Sequence, residues 1–213
     1  MGDYIFAKAF RIMVDTGSIE LIDAISRATE RVSVGELRQI EETANYALSE
    51  EEYLSIIADK TASLFSVSCE SGPILCGHNG EDRHRLAEFG ENVGIAFQIA
   101  DDLLDFVGDE DVTGKTPGND VLSGKVTLPL IYALRQVSEA SAREVTGWLK
   151  DKDQEEAFER IHAFITEQGG IDYAYRRANE LAESGLERIT PYEGSIYYDS
   201  LSAMVQFTTS RAS

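Results

Sequence analysis

The sequence predicts an all-α protein, and three observations support this fold class. Apolar residues recur at helical spacing in one segment after another, Ser49 stands three positions before Glu52 in a helix-capping signature, and no segment alternates as a strand does. At 213 residues the chain can bury one sizeable core, and no shift in composition marks a boundary. We therefore expect a single all-α domain over residues 1–213.

The N-terminal third is expected to form three helices. Helical spacing predicts the first over residues 3–14, the second over 18–31 and the third over 35–48. The first helix has a wide apolar side, which includes Phe6 and Phe10, and nothing earlier in the sequence to pack against. We expect a neighbouring segment or another chain to cover that side.

Two further helices carry the polar residues of interest. The fourth helix is predicted over residues 50–67, and Ser71-Gly72-Pro73 is expected to break or kink the chain after it. A long helix follows over residues 81–108, in which Gly90 and Gly94 predict close helix packing or room for a substrate. The remaining helices are predicted over residues 127–137, 141–150, 153–168, 171–189 and 195–209.

The composition excludes several classes of function. The chain has 19 Lys and Arg against 38 Asp and Glu, a net charge of -19, which argues against unspecific binding to nucleic acid or to an anionic membrane. Its two cysteines, Cys69 and Cys76, make a disulfide framework and a zinc site poor interpretations. No apolar stretch has the length that spans a bilayer, and no secretory leader is present, so we expect a cytoplasmic protein without an integral membrane segment.

One face of the long helix predicted over residues 81–108 is rich in carboxylates. At about 100° per residue, four polar side chains share an arc of about 100°; they are Gln98, Asp101, Asp102 and Asp105. No Lys or Arg stands between Arg85 and Lys115 to neutralise this strip, so the like charges favour protonation or a bound cation. Carboxylate oxygens suit Mg2+, which also binds substrate phosphates. The alternative is a solvated acidic face.

Three lysines are candidates for binding an anion. Lys60, with Thr61 beside it, projects from the apolar stripe of the fourth helix, which consists of Tyr53, Ile56, Ile57, Leu64 and Val67. Its ammonium either reaches out to solvent along its stem or faces a cavity that holds an anion. Lys115 and Lys125 each follow a glycine in the connection over residues 107–125, where a solvent-facing lysine is the simpler interpretation. Lys125 also precedes a helix N-terminus, which favours an anion site.

Four blocks of sequence, in this order, resemble the trans-isoprenyl diphosphate synthases, also called polyprenyl synthetases. The blocks are GDYIFAKAF (residues 2–10), KTASLF (60–65), FQIADDLLD (97–105) and GKVTLPL (124–130). This resemblance implies an antiparallel helix bundle of the isoprenoid synthase type around a deep cavity, usually in a dimer. It also implies a prenyltransferase that condenses an allylic diphosphate with isopentenyl diphosphate to make a longer polyprenyl diphosphate.

The resemblance implies roles for the matching residues. Asp101 and Asp102, with Asp105 as a weaker candidate, are similar to the second aspartate-rich motif, which holds Mg2+ on the allylic diphosphate. The family's diphosphate-binding lysines correspond to Lys60, Lys115 and Lys125. Thr61 and Gln98 resemble the polar residues beside the reacting tail.

The sequence departs from the family in one respect. The family has a first aspartate-rich motif and paired arginines upstream of the block that residues 2–10 resemble, and residues 1–213 contain neither, nor the helices that precede them. Three explanations stay open: a truncated gene product, a naturally split subunit that another chain with the first motif completes, or a subunit with a regulatory role. We expect a homo- or hetero-oligomer, because the apolar side of the first helix needs a partner.

Three other functions stay open. The chain could be a non-catalytic partner or regulatory subunit of a heteromeric prenyl synthase. It could be a calcium-binding helix-loop-helix protein, because four residues fit the opening of a calcium loop, although Pro117 interrupts that loop and Asp120 stands where a Glu is wanted. These four are Asp109, Asp111, Thr113 and Gly114. A terpene cyclase shares the fold, but the paired glycine-lysine loop favours chain elongation.

Overall fold

The computed structural model describes residues 1–78, 80–107, 118–149 and 154–210, and in these ranges it contains helices and no strand. This confirms the all-α fold class. The helices are α1 (Gly2–Asp15), α2 (Ile19–Glu41), α3 (Glu50–Ile57), α4 (Ser63–Cys76), α5 (Glu81–Val107), α6 (Asn119–Leu122), α7 (Leu128–Arg135), α8 (Glu139–Trp148), α9 (Gln154–Glu167), α10 (Gly170–Ile189) and α11 (Ile196–Ser210). Residues Ala58–Ala62 form a π-helical turn between α3 and α4, and Thr190–Tyr192 form a 3-10 turn.

Helix α1 has no buried residue. The side chains of Tyr4, Ile5 and Phe6 are each at least 60% exposed, and Phe10 is about half exposed. The apolar side predicted for this helix is therefore uncovered within the described part of the chain.

Helix α2 replaces the two helices predicted over residues 18–31 and 35–48, so that expectation is wrong. Gly35 lies inside α2 and is buried. A Cβ atom at Gly35 would lie 2.5 Å from the backbone nitrogen of Lys60, in the π-helical turn. The glycine that suggested a helix boundary is thus a point of close contact between α2 and this turn.

Helices α3 and α4 and the π-helical turn between them form one continuous helical segment. The predicted end near residue 67 is therefore wrong, and so is a break at Ser71-Gly72-Pro73, whereas a kink there stays a prediction. Val67 and Ile74 of α4 are buried against Leu21 and Ala24 of α2. This packing stabilises a helix that contains a proline. The wider π-helical turn also changes the phase of the helix, and Leu64, predicted in the apolar stripe, is 45% exposed.

Helix α5 lies at the centre of the fold and packs mainly against α4 and α10. Its glycines permit the contact with α4, as predicted from their spacing. A Cβ at Gly90 would lie 2.5 Å from the carbonyl oxygen of Phe65, and one at Gly94 would lie 2.6 Å from the Cα of Ala62. Close packing at both glycines is confirmed.

Helix α10 runs antiparallel to α5. Gly185 of α10 lies beside Val93, whereas Ala174, earlier in α10, belongs to the same buried cluster as Leu103, later in α5. Two core clusters therefore share α5, one at each end. No helix in the described ranges is both long enough and apolar enough to span a membrane.

Candidate functional site

The centre of the candidate site is the carboxylate of Asp102 on α5, which has no exposed surface. Its Oδ1 accepts hydrogen bonds from Gln98 Nε2 at 2.9 Å and from Lys125 Nζ at 2.8 Å. Its Oδ2 accepts one from the hydroxyl of Tyr53 at 2.8 Å. A buried carboxylate is stable only when it is paired and hydrogen-bonded, and these three donors meet that requirement.

Thr61 and Gln98 extend this network as a pair. The Thr61 hydroxyl donates to Gln98 Oε1 at 2.7 Å, and the amide nitrogen of Gln98 donates in turn to Asp102. Both side chains are half-buried. The structure therefore brings together three of the residues that the sequence singled out, and it fixes the orientation of the Gln98 amide.

Lys125 links the network to the segment that precedes α7. Its Nζ lies 2.8 Å from Asp102 Oδ1 and 2.8 Å from Asp120 Oδ2, and the side chain is 21% exposed. Burial alone would lower the pKa of Lys125, but the two carboxylates outweigh it and raise the pKa above its usual value. Lys125 is therefore a lysine of the site and not a solvent-facing loop lysine.

The contact of Lys125 with Asp102 also corrects the expectation that no cation neutralises the aspartate strip. The sequence around Asp102 offers no Lys or Arg, but Lys125 reaches it from 23 positions further along the chain. Tertiary contact supplies the charge that sequence neighbours do not.

Sequence reasoning missed two residues of the network, Tyr53 and Asp120. Tyr53 was interpreted as part of an apolar stripe and Asp120 only as an unsuitable calcium ligand. Burial raises the pKa of Tyr53 well above its usual value, and the nearby charge of Asp102 adds to this, so the phenol stays protonated and keeps donating. Its position two helical turns before Lys60 was the available signal. Asp120 lies in α6, a helix of four residues that is too short to show such a periodicity.

Asp105 has a different set of contacts from Asp102. Its carboxylate accepts the backbone N–H of Asp120 at 3.2 Å and that of Val121 at 3.3 Å, and so holds the start of α6. Burial raises the pKa of Asp105, and the backbone donors oppose this in part. A role for Asp105 as a metal ligand stays a prediction.

Lys60 does not face an apolar stripe. Its Nζ lies 2.9 Å from Glu36 Oε2 and donates a hydrogen bond to Gln39, both on α2. The side chain is 29% exposed, and the π-helical turn, which alters the angle between successive residues, sets its direction.

A cavity of about 200 Å³ opens between α2, α3 and the segment that carries Lys125. It is lined by Gln39, Ile40, Glu42, Thr43, Leu48, Tyr53, Ile56, Ser123, Lys125 and Val126. Two of these residues, Tyr53 and Lys125, contact Asp102, and Gln39 contacts Lys60. The cavity therefore joins the two described lysine sites.

The donor set fits Mg2+ if phosphate oxygens complete the coordination. In the described residues, no three His, Cys, Asp or Glu side chains are grouped so that they could hold a metal ion together. Mg2+ does not need such a group, because it commonly takes one or two carboxylates with water and substrate phosphates. Asp101, which is half-buried, and the adjacent Asp102 offer two carboxylates on one helix face.

Lys115 and the four residues that suggested a calcium loop, at positions 109, 111, 113 and 114, lie outside the described residues. Asp120, the loop's last candidate, is described, and its carboxylate is paired with Lys125. The structure thus gives Asp120 a partner other than calcium.

Comparison with protein families decides the identity of the fold. The polyprenyl synthetase family profile matches residues 1–165. The chain belongs to the polyprenyl synthetase family. This confirms the resemblance that rested on four sequence blocks, and the helices described above form the isoprenoid synthase fold.

Two individual relatives are similar over almost the whole chain, and a third is similar over part of it. Octaprenyl diphosphate synthase of Haemophilus influenzae is 30% identical over 211 residues, which are 99% of this chain and 64% of the relative. All-trans-nonaprenyl-diphosphate synthase (geranyl-diphosphate specific) of Rhodobacter capsulatus is 33% identical, with the same coverage of 99% and 64%. Heptaprenyl diphosphate synthase component 2 of Geobacillus stearothermophilus is 39% identical over 133 residues, 62% of this chain and 42% of the relative. The chain spans just under two thirds of the length of the first two.

Solved structures in the family superpose closely. The polyprenyl synthase from Caulobacter crescentus CB15, complexed with calcium and isoprenyl diphosphate, has a TM-score of 0.90 at 31% identity. The match covers all of this chain and 65% of the Caulobacter chain. A decaprenyl diphosphate synthase from Rhodobacter capsulatus has a TM-score of 0.89 at 30% identity. That match covers all of this chain and 66% of the Rhodobacter chain.

Proposed function

We propose that this chain is a cytoplasmic trans-prenyltransferase, which condenses an allylic diphosphate with isopentenyl diphosphate to form a longer polyprenyl diphosphate. One observation carries the proposal: Thr61, Gln98, Asp102 and Lys125 form a connected polar network beside a cavity, in a polyprenyl synthetase fold. Relatives named for octaprenyl and nonaprenyl diphosphate synthesis support it, as does a structural relative complexed with calcium and isoprenyl diphosphate.

The lysines would bind the diphosphate of the allylic substrate. Lys125 lines the cavity, Lys60 contacts Gln39, which also lines it, and Lys115 is the third candidate. Both of the candidates that the structure describes are paired with carboxylates: Lys125 with Asp102 and Asp120, and Lys60 with Glu36. In our proposal the diphosphate replaces these carboxylates as the binding partner of the lysines, because it presents more negative charge at the same distance.

Asp101 and Asp102 would hold Mg2+, with Asp105 as a further candidate. Bound there, the ion would neutralise charge on the diphosphate as it leaves. Asp102 gives up its contact with Lys125 when the lysine turns to the diphosphate, and it keeps the donors Gln98 and Tyr53.

The proposed reaction breaks the carbon-oxygen bond of the allylic diphosphate. Lys60 and Lys125 are in place before the bond breaks, so they stabilise the charge that develops on the leaving group without rearranging. Leu48, Ile56 and Val126 supply apolar walls that exclude water from the carbon centre. The alkene of isopentenyl diphosphate forms the new carbon-carbon bond, and the departing diphosphate takes the proton.

We propose that a second chain completes the site with further carboxylates. The surface for it is the uncovered side of α1 and the apolar groove of about 340 Å³ between α1 and α2, lined in part by Phe6, Phe10, Ile22 and Ile25. An uncovered apolar helix side of this kind is typical of an interface.

A second candidate function is that of a non-catalytic partner subunit in a heteromeric prenyl synthase. It is favoured by the 39% identity to a protein named as component 2 of a heptaprenyl diphosphate synthase. In this role the chain would bind a complete synthase and change the length of its product, without turnover of its own.

The test is a turnover assay of the purified chain with Mg2+, labelled isopentenyl diphosphate and a series of allylic diphosphates, with products sized by chromatography. We expect product when a chain that carries the first aspartate-rich motif is added, and none when Asp101→Asn replaces the wild type in the same mixture. Equal amounts of product with the wild type and with Asp101→Asn would contradict the proposed role of the site. An altered product length that persists with Asp101→Asn would support the partner subunit instead.

A further inference from the structure

Tyr53 makes a contact that differs from the other two contacts of Asp102. Its side chain is 3% exposed, and its hydroxyl donates to Oδ2 of Asp102 at 2.8 Å. Gln98 and Lys125 both donate to Oδ1. Among the described contacts, Tyr53 is therefore the donor that fixes the second oxygen, and with it the plane of the carboxylate.

Tyr53 is also the most rigid of the three donors. It has two side-chain torsions and lies in the main buried cluster with Ile57 and Leu103. Gln98 and Lys125 have longer side chains and are partly exposed. When Lys125 turns to a diphosphate, Asp102 loses a charged partner, and the contact from Tyr53 stays because packing holds the ring in place.

We propose that Tyr53 is a positioning residue for the metal and diphosphate site, which acts by fixing the carboxylate of Asp102 in both the empty and the occupied state. The inference rests on the proposed function of that site. In this role Tyr53 acts through the carboxylate of Asp102 and not by contact with the ion or the reacting carbon. It keeps a buried carboxylate hydrogen-bonded and in one orientation, so that binding of Mg2+ and diphosphate does not have to order it.

The chain contains a matched control for this contact. Tyr192 donates to Asp82 Oδ1 at 2.5 Å, so it is also a tyrosine bonded to an aspartate of α5. Asp82 stands twenty positions before Asp102, a distance of about 30 Å along the helix axis. Tyr192→Phe and Tyr53→Phe therefore remove the same kind of hydrogen bond from the two ends of one helix.

The experiment is calorimetric titration of the full chain with inorganic pyrophosphate in the presence of Mg2+, for the wild type, Tyr53→Phe and Tyr192→Phe. We expect Tyr53→Phe to raise the dissociation constant about tenfold, as for the loss of a hydrogen bond to a charged group. Tyr192→Phe should change it less than twofold. Helix content by circular dichroism should be the same in all three proteins.

A double-variant cycle shows whether Tyr53 acts through Asp102. In an Asp102→Asn background, Tyr53→Phe should have no further effect on pyrophosphate binding. A tenfold effect that persists in that background, or equal affinity of Tyr53→Phe and wild type, would overturn the inference and leave the proposed function standing. If the wild type binds no pyrophosphate with Mg2+, the proposed function itself fails.

Discussion

Lys125 Nζ lies 2.8 Å from Oδ1 of Asp102, a carboxylate with no exposed surface. The same nitrogen lies 2.8 Å from Asp120. Lys125 therefore connects the segment before α7 to the C-terminal part of the central helix α5. It is also one of the lysines that we propose for the diphosphate, so the same side chain contributes to the stability of the fold and to the binding of substrate.

Removal of Lys125 should destabilise the fold. Lys125→Met leaves the charge of Asp102 buried with no cation beside it, and we expect a loss of about 3 kcal/mol in the free energy of unfolding. The measurement is urea unfolding followed by circular dichroism. Lys60→Met is the control, because Glu36, its partner, is 53% exposed, and its loss should be below about 1 kcal/mol.

The double variant Lys125→Met with Asp102→Asn tests whether the buried charge of Asp102 causes this loss of stability. Neutral Asn needs no cation, so most of the lost stability should return. An unfolding free energy for the double variant that equals that of Lys125→Met would contradict the charge explanation.

Gly35→Ala should disturb the π-helical turn that carries Lys60 and Thr61. A Cβ at Gly35 would lie 2.5 Å from the backbone nitrogen of Lys60, so α2 has to move away. We expect a loss of about 1–3 kcal/mol in unfolding free energy and weaker pyrophosphate binding.

Gly147→Ala is the matched control for Gly35→Ala. Gly147 is also inside a helix, α8, but a Cβ there would meet no atom within 4 Å outside its neighbours in the chain. Alanine should raise the unfolding free energy by up to about 1 kcal/mol, because it favours the helix. Equal destabilisation by the two substitutions would contradict the close contact of α2 with the turn.

Variants of Asp105 separate a structural role from metal binding. Asp105→Ala removes the acceptor for the N–H groups of Asp120 and Val121, and we expect it to reduce unfolding free energy by about 1–2 kcal/mol. Asp105→Asn retains an acceptor oxygen, so its affinity for pyrophosphate with Mg2+ should change less than twofold. Asp101→Asn should weaken the same binding at least tenfold, and a loss of that size in Asp105→Asn would identify Asp105 as a ligand.

Tyr192 should make the stability of the protein depend on pH above 10. Burial and the hydrogen bond to Asp82 raise the pKa of Tyr192 to about 12, from about 10 in the unfolded chain. Between these values the folded state binds more protons than the unfolded state, so the contribution of this group to stability is complete below pH 10 and is lost as the pH rises to 12.

The measurement is the unfolding midpoint in urea from pH 9 to pH 12. The midpoint of Tyr192→Phe should fall less over this range than that of the wild type. Tyr197→Phe, a change at a 75% exposed residue of the same region, is the control and should follow the wild type. If the midpoint of Tyr192→Phe fell with pH as steeply as that of the wild type, this hydroxyl would not contribute to the pH dependence of stability.

Local periodicity predicted most helices to within a few residues, but it failed where long-range packing decided the outcome. Gly35 costs helix propensity, and the sequence therefore suggested a boundary there. The close contact of α2 with the π-helical turn explains why glycine stands inside the helix. Pro73 misled in the same way, because burial of Ile74 against α2 stabilises a helix that the proline alone would weaken.

The sequence by itself determined the fold class, the family and the polar face of α5, because these depend on helical spacing and on residues that are neighbours in the chain. Only the tertiary structure decided which charges meet. It paired Asp102 with Lys125, placed the hydroxyl of Tyr53 on the same carboxylate and directed Lys60 towards Glu36. Such contacts join residues more than twenty positions apart, and helix packing sets their distance, which no local pattern of residues encodes.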